Sequence, residues 1–298
     1  MGSIRDYLIL IRIPNLFTTP TNVVVGFSQL VLLNSANWAT LLILILTSLL
    51  LYTAGIVLND YIDRQIDRRE RPNRPLPSGR ISTRSALIFV LVAMLASVLA
   101  AAYVSPFTLI IVLTIIGTII AYDCWLKTST FGPMVMALSR VFNIVLGFSP
   151  LLLLPFSNQN DLIRITVILV SMFIYIFTIS YLSKFETGAP TKKINYTFAM
   201  LSISSIAFVL VLFTITGYFK VDLLFILPIF IGMLIITFAK RFLRFGANEA
   251  GQIVRNLVIS IIILDSLFVS GSIGLVYGLS LLLFLIPAII LSRRFYVT

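Results

Sequence analysis

Long apolar runs alternate with short polar loops along the whole chain. Runs near 20 apolar residues recur, and Pro, Gly and Ser mark many of the breaks between them. A helix needs about 20 apolar residues to cross the hydrocarbon core of a bilayer. The pattern therefore predicts an all-α protein that crosses a membrane many times. The ten predicted spans are residues 15–33, 39–58, 83–104, 106–122, 134–155, 163–182, 196–217, 221–239, 256–271 and 273–292.

Composition supports a polytopic membrane protein and excludes several kinds of site. Of the 298 residues, 59% are hydrophobic and only 11% are charged, whereas soluble domains carry about 25% charged residues. We expect one domain over residues 1–298. The chain has no His and a single Cys, Cys124. This composition excludes a His base, a His-ligated metal or haem, and a disulfide within the chain.

The distribution of positive charge predicts the orientation of the chain. If the N-terminus is cytoplasmic, all but two of the 22 Lys and Arg residues lie on the cytoplasmic side, the exceptions being Arg164 and Lys220. Cytoplasmic loops of membrane proteins carry an excess of Lys and Arg. The expected location is thus the inner or cell membrane. The net charge of +11 is explained by topology and by contact with anionic membrane lipids, so nucleic acid is not an expected partner.

The stretch 59–80 is the long strongly charged segment of the sequence. Its acids Asp60, Asp63 and Asp67 are spaced i, i+3, i+7, which on a helix places them within roughly 60° of one another. Carboxylates that converge in this way repel each other unless a cation lies between them, and hard oxygen ligands favour magnesium or calcium. The neighbouring Arg side chains suit phosphate. The alternative is a solvated loop that serves only as a topology signal.

A resemblance to a known family favours the metal–phosphate site. The sequence NDxxDxxxD at 59–67, followed by RPNRPLPSG at 71–79, resembles the first signature of the UbiA superfamily of intramembrane prenyltransferases. The resemblance implies a helical membrane enzyme, usually of nine spans, in which Mg²⁺ held by such acids binds a prenyl diphosphate and an acceptor is alkylated. With the tenth segment counted above, we expect a UbiA-like bundle of nine to ten transmembrane helices, with its active-site loops on the cytoplasmic side.

Two further segments offer candidate site residues. YDCWLK at 122–127 is similar to a Tyr…Leu-Lys pattern of the family, which implies that Lys127 contacts the diphosphate and that Tyr122 or Asp123 contacts the acceptor. An interfacial aromatic belt with a snorkelling Lys is the alternative. Arg140 and Asn143 share a face inside the fifth predicted span. An Arg at that depth needs a partner or a water-filled cavity, and we favour the cavity.

The loop after the sixth span departs from the family pattern. Family members carry a second Asp motif there, whereas YLSKFETGAP offers one acid, Glu186, beside Lys184. In this feature the chain resembles UbiA-like proteins of the Ebo type, and its first motif is also similar to that of digeranylgeranylglyceryl phosphate synthases. A scaffold that binds or transports a prenylated metabolite without catalysis is therefore the alternative function. Asp265, in the ninth span, is assigned a helix–helix hydrogen bond.

The resemblance together with the residue types gives a complete expected site. Magnesium is the expected cofactor, and the expected partners are a prenyl diphosphate and an aromatic or other small acceptor. Glu186, Asp123 and Asp67 are candidates for the base that deprotonates the acceptor. The expected metal ligands are Asp60, Asp63 and Asp67, which with Glu186 form the catalytic set, and the expected substrate-binding residues are Asn59, Arg71, Arg74, Lys127, Arg140, Asn143 and Lys184.

Overall fold

The computed structural model describes residues 3–150, 159–185, 193–239 and 247–295. Within these ranges all regular structure is helical, and a single π-helical turn, Tyr122–Leu126, follows α7. The helices are α1 (Ile4–Leu10), α2 (Ile13–Leu16), α3 (Thr18–Leu32), α4 (Trp38–Ile62), α5 (Arg64–Glu70), α6 (Thr83–Val104), α7 (Pro106–Ala121), α8 (Gly132–Phe148), α9 (Gln159–Ser183), α10 (Lys193–Ile215), α11 (Leu223–Ala239), α12 (Ala247–Ile273), α13 (Leu275–Leu282) and α14 (Leu285–Phe295).

The prediction of an all-α, polytopic membrane protein is confirmed. Among the described residues, seven helices are long and apolar enough to cross a membrane. An eighth span results if α1 is counted with α2 and α3, from which it is bent by 58°. Helices α8 and α11 are apolar but shorter. The count of nine to ten spans remains a prediction.

The entry to the bundle is irregular, as the two early prolines predicted. The first predicted span, 15–33, begins inside α2 instead of at a single helix start. Pro14 lies in the first turn of α2, where its missing N–H leaves no hydrogen bond unmade. Arg12 precedes this turn in a left-handed conformation with φ 48°, and the chain bends by 58° between α1 and the helices that follow.

One predicted boundary lies outside the described residues and another is wrong. Helix α8 runs from Gly132 to Phe148, and the predicted end of the fifth span at 155 lies outside the described residues. The break after the ninth span lies at Gly274, not at Gly271. Gly274 has φ 121°, which only glycine adopts readily. Gly271 instead allows close packing, because a Cβ there would lie 2.8 Å from the Phe219 ring.

Helix α12 forms the centre of the bundle, and α3 lies between it and α8. In α12, 83% of the most apolar window is buried, against 17% to 56% in the other spans. Helices α3 and α8 approach closely at two glycines. A Cβ on Gly26 would lie 1.9 Å from the Ile144 carbonyl oxygen, and one on Gly147 would lie 2.2 Å from that of Val23. Helix α4 packs against α3, α6 and α8, which brings its C-terminal end to the charged loops.

Candidate active site

The acids of the first motif lie where α4 meets α5. Helix α4 continues four residues past the predicted end at 58, to Ile62, so Asn59 and Asp60 lie in its last turn. Asp63 joins the two helices, and Asp67 lies in the first turn of α5. The motif 59–67 therefore belongs to helices α4 and α5 and is not a loop. At the end of α4 its polar side chains can still contact partners in the neighbouring loops.

Arg74 forms the centre of the first half of the site. Its Nη1 lies 2.8 Å from Asp67 Oδ2 and 3.2 Å from Asp60 Oδ1. Arg12 Nη2 lies 2.9 Å from the same Asp60 oxygen. Asp60, Asp67 and Arg74 are each less than a tenth exposed. Burial and the adjacent Arg12 lower the pKa of the Arg74 guanidinium, while Asp60 opposes that shift. Arg74 remains a cation and screens the two buried carboxylates from each other.

Asp63 belongs to the second half of the site, beside the π-helical turn. The Lys127 ammonium forms an ion pair with Asp63 and also lies 3.3 Å from Asn59 Oδ1 as a hydrogen-bond donor. The Asn59 amide donates to Asp123 Oδ1 at 2.7 Å. The π-helical turn, closed by the Lys127 N–H to the Tyr122 carbonyl at 2.9 Å, therefore presents both Asp123 and Lys127 to the end of α4.

The three motif acids divide between two sets of cations in this structure, and their predicted role as metal ligands remains a prediction. Asp60 and Asp67 share Arg74, whereas Asp63 pairs with Lys127. Within the described part of the chain, no three acidic, His or Cys side chains are close enough together to hold a metal ion. The physical reason is that Arg and Lys side chains from other segments neutralise the acids separately, which the spacing along one helix does not reveal.

Two of the remaining loop residues lie nearby, and one is not described. Arg71 is half-buried, and its side chain contacts none of the described residues through a hydrogen bond or ion pair; its N–H donates to the Asp67 carbonyl at 2.8 Å. Lys184 is exposed, and its ammonium donates to the Ser129 carbonyl at 2.8 Å, which joins the loop after α9 to the loop before α8. Glu186 lies outside the described residues. Their predicted roles remain predictions.

Arg140 lies deeper in the bundle and is partnered there. Its guanidinium donates to Asn22 Oδ1 at 2.9 Å and to Thr18 Oγ1 at 3.1 Å, and it lies 5.4 Å from the centroid of the Tyr52 ring. The sequence offered a partner or a water-filled cavity as the explanation for Arg140, and the structure shows partners. Asn143 is buried and donates to the Thr19 carbonyl at 3.2 Å, so both residues bind α8 to the start of α3.

Asp265 extends the same polar network into α12. Its carboxylate is fully buried and accepts hydrogen bonds from Thr21 Oγ1 at 2.6 Å and from the Asn22 amide at 2.8 Å. The predicted helix–helix hydrogen bond is confirmed. Asn22 accepts from Arg140 and donates to Asp265, so one amide connects a half-buried guanidinium to a buried carboxyl group. Sequence reasoning missed this link because no local pattern pairs positions so far apart.

Sequence reasoning also missed the contribution of Arg12 to the site. From the sequence, Arg12 is recognisable only as a positive charge before the first predicted span. At the bend between α1 and α2, its side chain donates to Asp60 Oδ1 at 2.9 Å. The nearby Pro14 was the available signal, since proline predicts a break in the helix. A break, however, does not by itself say where the preceding side chain points.

Comparison with known proteins places these features in a family. The profile described as "UbiA prenyltransferase family" matches residues 23–255. The digeranylgeranylglyceryl phosphate synthase of Saccharolobus solfataricus is 26% identical over 281 residues, which cover 88% of this chain and 95% of that protein. The 4-hydroxybenzoate octaprenyltransferase of Aliivibrio salmonicida is 30% identical over 149 residues, which cover 49% of each chain.

Solved structures show the same fold. A UbiA homologue from Archaeoglobus fulgidus, bound to GPP and Mg²⁺, matches with a TM-score of 0.61 and 18% identity and covers 93% of this chain and 99% of that one. A UbiA homologue from Aeropyrum pernix matches with a TM-score of 0.68 and 12% identity over 85% of this chain and 96% of that one. The family match extends over most of the chain and includes the motif acids, so the chain belongs to the UbiA prenyltransferase family.

Proposed function

We propose that this protein transfers a prenyl group from a prenyl diphosphate to an aromatic or other small acceptor within the membrane, and that the transfer depends on Mg²⁺. The observation that carries the proposal is the group of four acids and three cations where α4, α5, the 71–80 loop and the π-helical turn meet. This group lies at the end of an apolar bundle, so a lipid-like substrate can keep its tail among the helices and its charged end at the loops.

The cations of the site suit a diphosphate. Arg12, Arg74 and Lys127 come from three separate segments and point at the same end of α4. Arg has a forked set of donors that matches phosphate oxygens. Arg71 is half-buried beside them and, within the described residues, has no side-chain partner to give up. These four residues would neutralise the diphosphate, together with Lys184 from the loop after α9.

The carboxylate oxygens of the three motif acids suit a hard divalent cation in their chemistry, although separate ion pairs hold the acids apart in this structure. Asp60, Asp63 and Asp67 offer only carboxylate oxygens, and Mg²⁺ is commonly bound by one or two carboxylates together with substrate phosphates. Their present ion pairs with Arg74 and Lys127 would be exchanged on binding. The solved structure of a UbiA homologue bound to GPP and Mg²⁺ supports the assignment. When bound, the ion supplies positive charge that stabilises the leaving diphosphate.

The residues of this chain would assist the replacement of the diphosphate by the acceptor at the allylic carbon. The bond between the allylic carbon and the diphosphate oxygen breaks, and the diphosphate leaves with the electron pair. The acceptor forms the new bond to that carbon and loses a proton to a base. Arg12, Arg74 and Lys127 stabilise the charge that develops on the leaving group. The apolar side chains between the helices exclude water from the allylic cation. Asp67, Asp123 and Glu186 are the candidate bases.

The relatives and the charge distribution support further details of the proposal. Both relatives are named for prenyl compounds, a digeranylgeranylglyceryl phosphate synthase and a 4-hydroxybenzoate octaprenyltransferase, which supports prenyl transfer as the common reaction. The excess of Lys and Arg in the loops that form the site supports a cytoplasmic face for it and a cytoplasmic N-terminus. Arg140 and Asn143, which lie deeper along the same bundle, are proposed to contact the bound substrates.

Diphosphate release by the purified protein in lipid tests the function. The assay contains Mg²⁺, a series of prenyl diphosphates, and aromatic or glycerol-phosphate acceptors. We expect release that requires both Mg²⁺ and an acceptor in the wild type and is lost in Asp63→Ala. The matched control is Asp161→Ala, which removes an acid from the ion pair with Arg164 at the opposite end of α9 and should keep full turnover.

The two possible failures have different meanings. Turnover that persists in Asp63→Ala would contradict the assigned site. Binding of prenyl diphosphate with Mg²⁺ but no release with any acceptor would support the alternative function, in which the scaffold binds or transports a prenylated metabolite. The single acid of the second motif region, Glu186, would then explain the lost chemistry.

A further inference from the structure

Both polar atoms of the Asn59 side chain form hydrogen bonds with the segment 123–127. Its amide nitrogen donates to Asp123 Oδ1 at 2.7 Å, and its carbonyl oxygen accepts from Lys127 Nζ at 3.3 Å. Asp123 and Lys127 belong to the π-helical turn and its C-cap. π-Helical turns are rare and frequently occur at functional sites. This turn therefore fixes which end of the Asn59 amide faces the cations.

Asp123 differs from the other acids of the site in its partner. Asp60, Asp63 and Asp67 each form an ion pair, whereas no Lys or Arg of the described residues lies within ion-pair distance of Asp123. Its carboxylate is 7% exposed. A buried carboxylate that accepts from a neutral amide holds that amide strongly, and an amide turned by 180° would present its nitrogen to Asp123's neighbour Lys127, a repulsive arrangement.

We infer that Asp123 is a positioning residue that holds the Asn59 amide with its oxygen toward the site, and thereby sets the affinity of the site for its divalent cation. The inference rests on the proposed function. The Asn59 oxygen accepts from Lys127 in this structure, and when Lys127 turns to a bound diphosphate the same oxygen, already oriented by Asp123, is a hard ligand for a cation. Groups that orient a ligand in this way typically change metal affinity by about 10- to 100-fold when they are removed.

Mn²⁺ binding, followed by electron paramagnetic resonance on the detergent-solubilised protein, tests the inference without turnover. Mn²⁺ uses the same carboxylate and carbonyl ligands as Mg²⁺. We expect Asp123→Ala to weaken Mn²⁺ binding by about 10- to 100-fold. Asp123→Asn should remain close to wild type, because its amide oxygen can still accept from Asn59. Asp161→Ala, remote from the site, is the control and should bind as wild type does.

A double-mutant cycle separates positioning from other roles. If Asp123 acts through Asn59, then Asp123→Ala should cause no further loss when it is added to Asn59→Ala. Equal losses in Asp123→Asn and Asp123→Ala, or additive losses in the cycle, would overturn the inference and make Asp123 a direct ligand. Unchanged Mn²⁺ binding in a folded Asp123→Ala protein would also overturn it. Absence of Mn²⁺ binding in the wild type, both alone and with a non-hydrolysable prenyl diphosphate analogue present, would instead overturn the proposed function.

Discussion

At the scale of single residues, Arg74 shows how the buried charge of the site is tolerated. Two carboxylates, Asp60 and Asp67, are almost completely buried within 3.2 Å of one guanidinium. Burying a charge is costly unless it is paired and hydrogen-bonded. Arg74 provides that pairing through one nitrogen, Nη1, which contacts both acids. Asp67 depends on Arg74 for its pairing, whereas Asp60 shares Arg74 with Arg12.

Replacing Arg74 with Gln should destabilise the protein strongly. The change leaves two buried carboxylates without their shared cation, and removal of one partner from a buried ion pair costs about 3–5 kcal/mol of unfolding free energy. Added Mg²⁺ should recover part of the loss, since a divalent cation can screen the same two acids. Thermal unfolding in detergent, with and without Mg²⁺, measures both effects.

The matched comparison for stability is Arg71→Gln. Arg71 is in the same loop, but within the described residues its side chain makes no hydrogen bond or ion pair. We expect a small change in unfolding temperature, because no buried charge loses its partner. A large loss in Arg71→Gln, or a wild-type unfolding curve for Arg74→Gln, would contradict this account of the buried pair.

At the scale of elements, the crossing of α3 and α8 determines where the deeper polar residues meet. Gly26 and Gly147 let the two backbones approach so closely that a Cβ on either would overlap a carbonyl oxygen. Small residues at helix interfaces permit this kind of contact inside membranes. The same crossing brings Arg140 to Thr18 and Asn22. The polar network around Arg140 thus depends on the close packing of α3 against α8.

Gly147→Ala should separate α3 from α8 and lower stability. The added Cβ would lie 2.2 Å from the Val23 carbonyl oxygen, and overpacking of this kind costs about 1–3 kcal/mol. The matched control is Gly117→Ala in α7, where nothing lies within 4 Å of the added Cβ. That change should be neutral or stabilise the helix by about 0.5–1 kcal/mol. Equal unfolding temperatures for the two variants would refute the close crossing.

At the scale of the whole molecule, three of the charged loops come together at one end of the described bundle. The motif loop, the π-helical turn and the loop after α9 follow spans that end on the same side, and contacts between them, such as Lys127 to Asp63 and Lys184 to Ser129, confirm that these loops are neighbours. These three loops must therefore lie on the same side of the membrane. The excess of basic residues favours the cytoplasm for this side.

The single cysteine provides a direct test of orientation. Cys124 is exposed in the π-helical turn, so a membrane-impermeant thiol reagent should label it in inverted vesicles and not in right-side-out vesicles. The control is Cys124→Ser combined with Ser35→Cys, which moves the thiol to the exposed turn between α3 and α4. This variant should show the opposite labelling. Labelling of Cys124 in right-side-out vesicles alone would reverse the proposed topology.

The sequence by itself determined the class of the protein, the approximate spans and the first motif, because apolar length and local spacing are properties of neighbouring residues. Only the tertiary structure decided how the charges pair. Arg12 with Asp60, Lys127 with Asp63, Asp123 with Asn59, and Arg140 with Asn22 all join residues from different segments. Such pairs depend on helix crossings and on backbone bends at particular residues, and no periodicity along one helix encodes them.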